Sequence, residues 1–169
     1  NNNVKREHEL IFGECQTMCP ISGTHSADLF ERERGTERSR PDWFVKKYER
    51  AAADRDFTDV KSLRPPSVLR ETMDYLVFNI IDVDKKKNAP YALPKGRDYY
   101  RFDDIHNFVW GAMRSIKQDI SVQRCDTDRF TIELLEEIAR YYILAINEGR
   151  DPEIKSFDAK LNMDQLTDT

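Results

Sequence analysis

The groups in this chain with chemistry to offer are three cysteines, three histidines and a run of cations. Cys15 and Cys19 stand in a C-x-x-x-C spacing inside the stretch GECQTMCP, Gly13 to Pro20, while Cys125 is remote. A structural zinc site takes four ligands, typically as paired C-x-x-C units, and that pattern is absent. The odd cysteine count argues against a disulfide framework. No basic residue lies within the stretch to favour a thiolate, so Cys15, Met18 and Cys19 read as small apolar groups tucked into a groove. His8, His25 and His106 fall in a lead-in, a loop and a helix start, with no paired base or orienting group. No phosphate-cradling glycine loop occurs. The expectation is a chain without catalysis, cofactor, metal or small-molecule substrate.

The cations are concentrated. Between Lys85 and Arg101, Lys85, Lys86, Lys87, Lys95, Arg97 and Arg101 oppose only Asp98, a local +5 in a chain of net charge -4, so the remainder carries -9. Tyr91, Tyr99 and Tyr100 interleave with these cations. That composition suits a segment gripping phosphates while stacking bases, which makes the six cations with Tyr99 and Tyr100 candidate RNA contacts. The competing reading is an exposed insertion whose charges keep it soluble. The acidic remainder repels nucleic acid.

The elements that must position these groups are helices. Pro65 and Pro66 suit a helix opening, and Leu69, Met73, Leu76 and Ile80 then recur at spacings of 4, 3 and 4 on one face. Phe78 points roughly 180° away, so the helix ending at Ile81 is expected to pack on two sides. Upstream, Ser26–Arg34 reads as a short helix capped by Ser26, and Pro41–Asp54 as a second one carrying Trp43, Phe44 and Tyr48. Downstream, Asp103 or Asp104 caps a helix with Ile105, Val109, Ala112, Ile116 and Ile120 in a stripe and Trp110 off it. Asp119 projects onto the apolar side of that helix. A buried carboxylate needs a donor, and Arg64 or Arg140 is expected to supply it. A third long helix starts at Asp126 or Thr127 and ends at Gly149 and Pro152. Leu134, Ile138, Tyr141 and Ala145 lie on one of its faces, and Ile132 and Ile143 on the other. Asn162 with Gln165 has the form of a cap, and the sequence stops at Thr169, so the N-terminal part of a longer helical domain is expected. No run is long and apolar enough to insert in a membrane.

Collinear blocks across nearly the whole chain carry a resemblance. They are Gly13, Cys15, Met18, Cys19 and Pro20; Lys47, Tyr48 and Ala52-Ala53-Asp54; Leu63-Arg64-Pro65 with Val68-Leu69; and Thr72-Met73-Asp74-Tyr75-Leu76-Val77. Further on come Phe108-Val109-Trp110, Arg114-Ser115-Ile116, Gln118-Asp119-Ile120, Gln123, Ile138-Ala139-Arg140-Tyr141, Phe157-Asp158-Ala159-Lys160-Leu161-Asn162 and Gln165-Leu166. On these the sequence resembles the GANP family, whose members include the scaffold of the nuclear mRNA-export complex TREX-2. Gly111-Ala112 departs from it, standing where the family commonly has Asp-Arg.

The resemblance implies an all-α fold of stacked helices, a tetratricopeptide-like or PCI-type solenoid. Residues 1–25 would form an extended strap, residues 26–169 the helical part, and the winged-helix end would be missing. Cys15, Met18, Cys19, Arg64, Asp74, Trp110, Arg114, Asp119 and Arg140 are then motif residues with structural roles. It further implies a non-catalytic scaffold in the nucleus, at nuclear pores or the nuclear envelope, with the cytoplasm as the alternative location. Its partners would be a PCI-domain protein and a small acidic proteasome-lid-type peptide, and it would help present RNA to export factors. The alternatives are a direct single-stranded RNA binder through residues 85–101, or a splicing-linked or centrosomal branch of the family.

Overall fold

A computed structural model describes residues 11–20, 27–28, 44–50, 59–81, 102–125, 127–154 and 157–169. Over these residues the chain is all-α, apart from one short antiparallel pair: β1 (Ala27–Asp28) beside β2 (Val45–Lys46), with Ala27 opposite Lys46 and Asp28 opposite Val45. The helices are α1 (Pro66–Tyr75), continued by a π-helical segment (Leu76–Ile81), then α2 (Phe102–Gln123), α3 (Arg129–Glu148) and α4 (Ala159–Thr167).

Helix α1 starts where the prolines dictate. Pro65 is extended at φ -64° and ψ 162°, and Pro66, lacking an N–H that would have no partner in the first turn, opens the helix. The expected face then turns inward: Leu69, Met73, Leu76 and Ile80 are buried. Thr72 is buried with them, its hydroxyl donating to the Val68 carbonyl at 2.7 Å so that no polar atom is stranded. Onto this stripe pack Val109, Ala112, Met113, Ile116 and Ile120 of α2 and Leu134, Ile138, Tyr142 and Ala145 of α3, forming one core that also takes in Met18 and Val45.

Asp128 caps α3, its carboxylate accepting from the Phe130 N–H at 3.4 Å, one or two residues beyond the expected Asp126 or Thr127. Helix α2 begins at Phe102, so Asp103 and Asp104, the expected caps, lie within its first turn instead. Helix α4 also starts elsewhere than expected. Its cap is Asp158, accepting from the Leu161 N–H at 2.9 Å, and Asn162 lies inside the helix. Asn162 is buried because its amide donates to the Tyr142 carbonyl at 2.9 Å, docking α4 on α3.

Two expectations fail. Helices over Ser26–Arg34 and Pro41–Asp54 are contradicted by β1 and by the non-helical stretch 44–50; the rest of both ranges lies outside the described residues. The reason is visible in β2. Successive strand side chains point to opposite faces, and this sends Val45 into the apolar core while Lys46 reaches a buried carboxylate. A helix would keep the Lys46 N–H within itself, whereas here it donates to the Met18 carbonyl at 3.0 Å.

The second failure is two-sided packing. Phe78, Ile132 and Ile143 remain exposed, at 66%, 45% and 58%. One shared core satisfies the inner stripes of α1, α2 and α3, and the opposite faces of α1 and α3 stay at the surface. Trp110 is half-buried under a cation rather than enclosed by a further layer.

Candidate functional site

The chain segment Gly13 to Pro20 lies across the start of α1 and the end of α2, and backbone bonds hold it there. Glu14 N–H donates to the Val60 carbonyl at 2.8 Å, Cys15 N–H to Leu63 at 2.9 Å, and Gly13 N–H to the Gln123 side-chain oxygen at 2.8 Å. Gln123 in turn donates to the carbonyls of Arg64 and Asp119, both at 2.9 Å, so one amide ties the strap to both helices. Gly13 is required for this approach, because a Cβ there would meet the Leu63 carbonyl group closer than real contacts allow.

Beneath the strap sits a charged hub closed to solvent. The Asp119 carboxylate accepts from Lys46 Nζ at 2.6 Å on one oxygen and from Arg64 Nε at 2.7 Å on the other, with the three residues 0%, 3% and 0% exposed in the order Asp119, Lys46, Arg64. Lys46 also donates to the Ser62 carbonyl at 3.0 Å. The Arg64 fork reaches the Met18 carbonyl at 3.3 Å and the Ser115 hydroxyl at 2.9 Å. Burying two basic groups and a carboxyl group away from water is tolerable only because each finds several partners. The hub thus joins the strap, β2, the α1 lead-in and α2. It offers no open position for a substrate, and every side chain in it is already engaged.

The thiols follow the same logic. Cys15 and Cys19 are buried. Burial pushes the Cys19 thiol up to about 11; nearby Arg64 and Lys46 pull the other way by less, and Cys15 adds to the rise. The thiolate needed for nucleophilic or metal chemistry is disfavoured. Among the described residues no group of three or more His, Cys, Asp or Glu is arranged to hold a metal.

A second polar arrangement lies on the far side of α2. Arg114 is layered against two aromatic rings, 3.7 Å above Tyr48 and 4.4 Å above Trp110, which fixes residues 44–50 to α2. It borders a cleft of about 750 Å³ that also holds Lys117. Lys117 donates to the Gln165 carbonyl at 3.0 Å and to the Thr169 hydroxyl at 2.8 Å, and its pKa is lowered by burial, with Asp168 opposing and Arg114 reinforcing the shift. At the other end of α2, His106 Nδ1 lies 3.0 Å from the Tyr141 hydroxyl, stacked on Phe102 and edge-on to Phe157. Burial holds its pKa down at about 4, so the imidazole is neutral and structural.

The sequence profile of the SAC3/GANP family matches residues 22–169. The chain belongs to this family. It is 30% identical over 181 residues to SAC3 family protein B of Arabidopsis thaliana, and 32% identical over 166 residues to SAC3 family protein 1 of Schizosaccharomyces pombe. With protein xmas of Drosophila melanogaster it shares 27% identity over 164 residues. These matches take in 95%, 95% and 92% of the chain but only 9%, 14% and 7% of the relatives, so the chain spans a small part of their length. No solved structure matches it.

Within this SAC3/GANP chain the motif residues divide among several places. Cys15, Met18, Cys19, Arg64 and Asp119 converge at the hub. Of the two arginines expected to hold Asp119, Arg64 does so, whereas Arg140 pairs with Glu136 at 3.1 Å on the exposed side of α3. Asp74 joins Arg70, which also binds Glu137 and so links α1 to α3. Trp110 and Arg114 form the aromatic stack. The candidate RNA contacts Lys85, Lys86, Lys87, Lys95, Arg97, Tyr99, Tyr100 and Arg101 lie outside the described residues. Lys46 and Ser115 were not anticipated as hub members. For Lys46 no signal was available, since an apolar residue followed by a polar one suits a strand with one face in solvent.

Proposed function

We propose that this chain is part of a non-catalytic scaffold for nuclear mRNA export, working near nuclear pores. In this reading it assembles a PCI-domain protein and a small acidic proteasome-lid-type peptide, and its helices continue into a solenoid that presents RNA to export factors. The observation that carries the reading is membership of the SAC3/GANP family over residues 22–169. The hub supports it, because its buried charged groups are spent on cross-linking chain segments rather than left open to a substrate.

Affinity purification of the full-length protein tests the proposal. Recovery of a PCI-domain protein together with a small acidic peptide is the expected result. Recovery of neither, or a turnover activity abolished by a single histidine or carboxylate substitution in this chain, refutes it.

A further inference from the structure

The cleft of about 750 Å³ beside α2 gathers Arg114, Lys117 and Arg124 against one carboxylate, Asp168, so its side chains sum to +2 in a chain whose net charge is -4. Among the described residues none of these three cations forms an ion pair. Arg114 is held by the rings of Tyr48 and Trp110, and Lys117 donates to two neutral oxygens, the Gln165 carbonyl and the Thr169 hydroxyl. An ammonium group has three protons to give, so one is left over.

Arg114 and Lys117 are half-buried and three residues apart, hence on one face of α2. Like charges set side by side in a partly desolvated cleft repel each other. Burial lowers the Lys117 pKa and the Arg114 charge adds to the fall, while Asp168 opposes it from beyond ion-pair distance.

Orphaned polar atoms collect at the same place. Arg114 Nε and Gln118 Oε1 are shut off from solvent with no hydrogen-bond partner, and so are the Trp110 Nε1 and Tyr142 hydroxyl groups. Trp110, Arg114 and Gln118 follow one another at intervals of four along α2, and Tyr142, fully buried on α3, lies close enough to feel the Arg114 charge. Buried polar groups are almost always paired, so four orphans around one arginine mark a place where a ligand supplies the partners.

The chemistry of these groups selects the ligand. The cations call for an anion. Gln118 calls for something else: its Nε2 is committed to the Glu49 carbonyl at 3.0 Å, so its free oxygen needs an N–H. A phosphate backbone has none, whereas a polypeptide main chain offers one at every residue but proline. Ile120, Val122 and Leu135 line the cleft with aliphatic surface. Tyr48 is the one aromatic residue among those described in its lining, and Arg114 already covers a face of that ring, so the stacking platforms that a single nucleic-acid strand needs are missing.

We propose that this cleft receives an acidic, extended segment of a partner protein, with carboxylates on Arg114, Lys117 and Arg124, a main-chain N–H on Gln118, and an aliphatic side chain against Leu135. The volume far exceeds what one carboxylate fills and suits a few residues of chain. Charge-assisted bonds to the cations give affinity and register, and the aliphatic contact excludes water from them. The assignment deepens the scaffold reading and rests on it, adding a docking site and the chemistry of what docks.

The test uses the 169-residue chain and three short fluorescent probes: a peptide alternating glutamate with leucine, the same peptide with lysine for glutamate, and a uridine oligonucleotide. Fluorescence anisotropy should show the acidic peptide binding at least roughly tenfold more tightly than either of the others, and more weakly as salt is raised. Lys117→Met and Arg124→Gln, checked by circular dichroism for retained helix, should each weaken it by roughly threefold or more, as loss of one charge-assisted contact requires. Arg124 is exposed, so its variant keeps the test decisive even if Lys117→Met perturbs the fold. Equal affinity for the two peptides, no binding of the acidic one, or indifference to Arg124→Gln overturns the proposal. Tighter binding of the oligonucleotide that Arg124→Gln weakens also overturns it, by giving the cleft to nucleic acid, and self-association of the chain that Arg124→Gln dissolves does so by giving it to a second copy. Any such failure alongside recovery of a PCI-domain partner from the full-length protein leaves the scaffold reading standing.

Discussion

Replacing Asp119 by alanine removes the only anion that the described residues bring to the hub and leaves the Lys46 ammonium and the Arg64 guanidinium buried side by side. Breaking a buried ion pair from one side costs about 3 to 5 kcal/mol, chiefly through the stranded charge. Two charges are stranded here, but each keeps a secondary partner: Lys46 the Ser62 carbonyl, Arg64 the Met18 carbonyl and the Ser115 hydroxyl. The expected loss therefore stays within that range, at about 4 kcal/mol, and should lower Tm by about 8 to 16 °C for a chain of this size. Urea unfolding followed by circular dichroism measures it as a fall in midpoint at unchanged slope. A thiol reagent supplies a local readout, since a loosened strap exposes Cys15 and Cys19. The decisive control replaces the whole hub with apolar groups, Lys46→Met, Arg64→Met and Asp119→Leu together, which removes the buried charges and should lie closer to the parent than Asp119→Ala does. If Asp119→Ala changes stability by less than about 1 kcal/mol, or the triple variant is the less stable of the two, the hub does not hold the strap in the way described.

Gly13→Ala should destabilise the chain by more than about 2 kcal/mol and raise the reactivity of Cys19 toward thiol reagents, because its Cβ would collide with the Leu63 carbonyl group. Gly111→Ala should do the reverse, adding about 1 kcal/mol and raising Tm by about 2 to 4 °C, since a Cβ there meets nothing within 4 Å and the residue lies inside α2. His106 has a folded-state pKa of about 4 against 6.5 for the free side chain, so the unfolded chain binds the extra proton first as the solution is acidified. Its contribution is thus complete above pH 6.5 and is lost between there and about pH 4, by up to about 3 kcal/mol. Denaturant midpoints across that window should slope downward toward acid in the parent, and less steeply in His106→Leu.

The three long helices were legible because their inner stripes keep a 3.6-residue period; the starts of α1 and α3 are marked by Pro66 and by a capping acid, whereas α2 begins before the acids Asp103 and Asp104 that were expected to cap it. Even so, the cap of α3 fell on Asp128, since Asp126, Thr127 and Asp128 are equally suited by type and only the fold selects among them. The stretch 44–50 was not legible. Trp43, Phe44 and Tyr48 give a plausible helical pattern, but that pattern loses to pairing of Val45 and Lys46 with Ala27 and Asp28 and to the pull of Asp119, which lies 73 residues beyond Lys46. The need of Asp119 for a donor could be read from its place on an apolar stripe; the second donor could not, because a lysine carries no local sign of which acid it will meet. Phe78, Ile132 and Ile143 misled in the opposite direction, since periodicity identifies which residues share a face but not whether anything covers it.

The bond from Gly13 to Gln123 joins positions 110 residues apart, and this has a consequence for how the protein is made. At ribosomal speeds of about 5 to 20 residues per second, the strap leaves the exit tunnel on the order of 5 to 20 s before its anchor does. During that interval neither thiol has its cover, and the Lys46 and Arg64 cations are hydrated with no carboxylate to meet. Closure is therefore a late event in biogenesis, and the nascent strap stays uncovered until α2 has been synthesised.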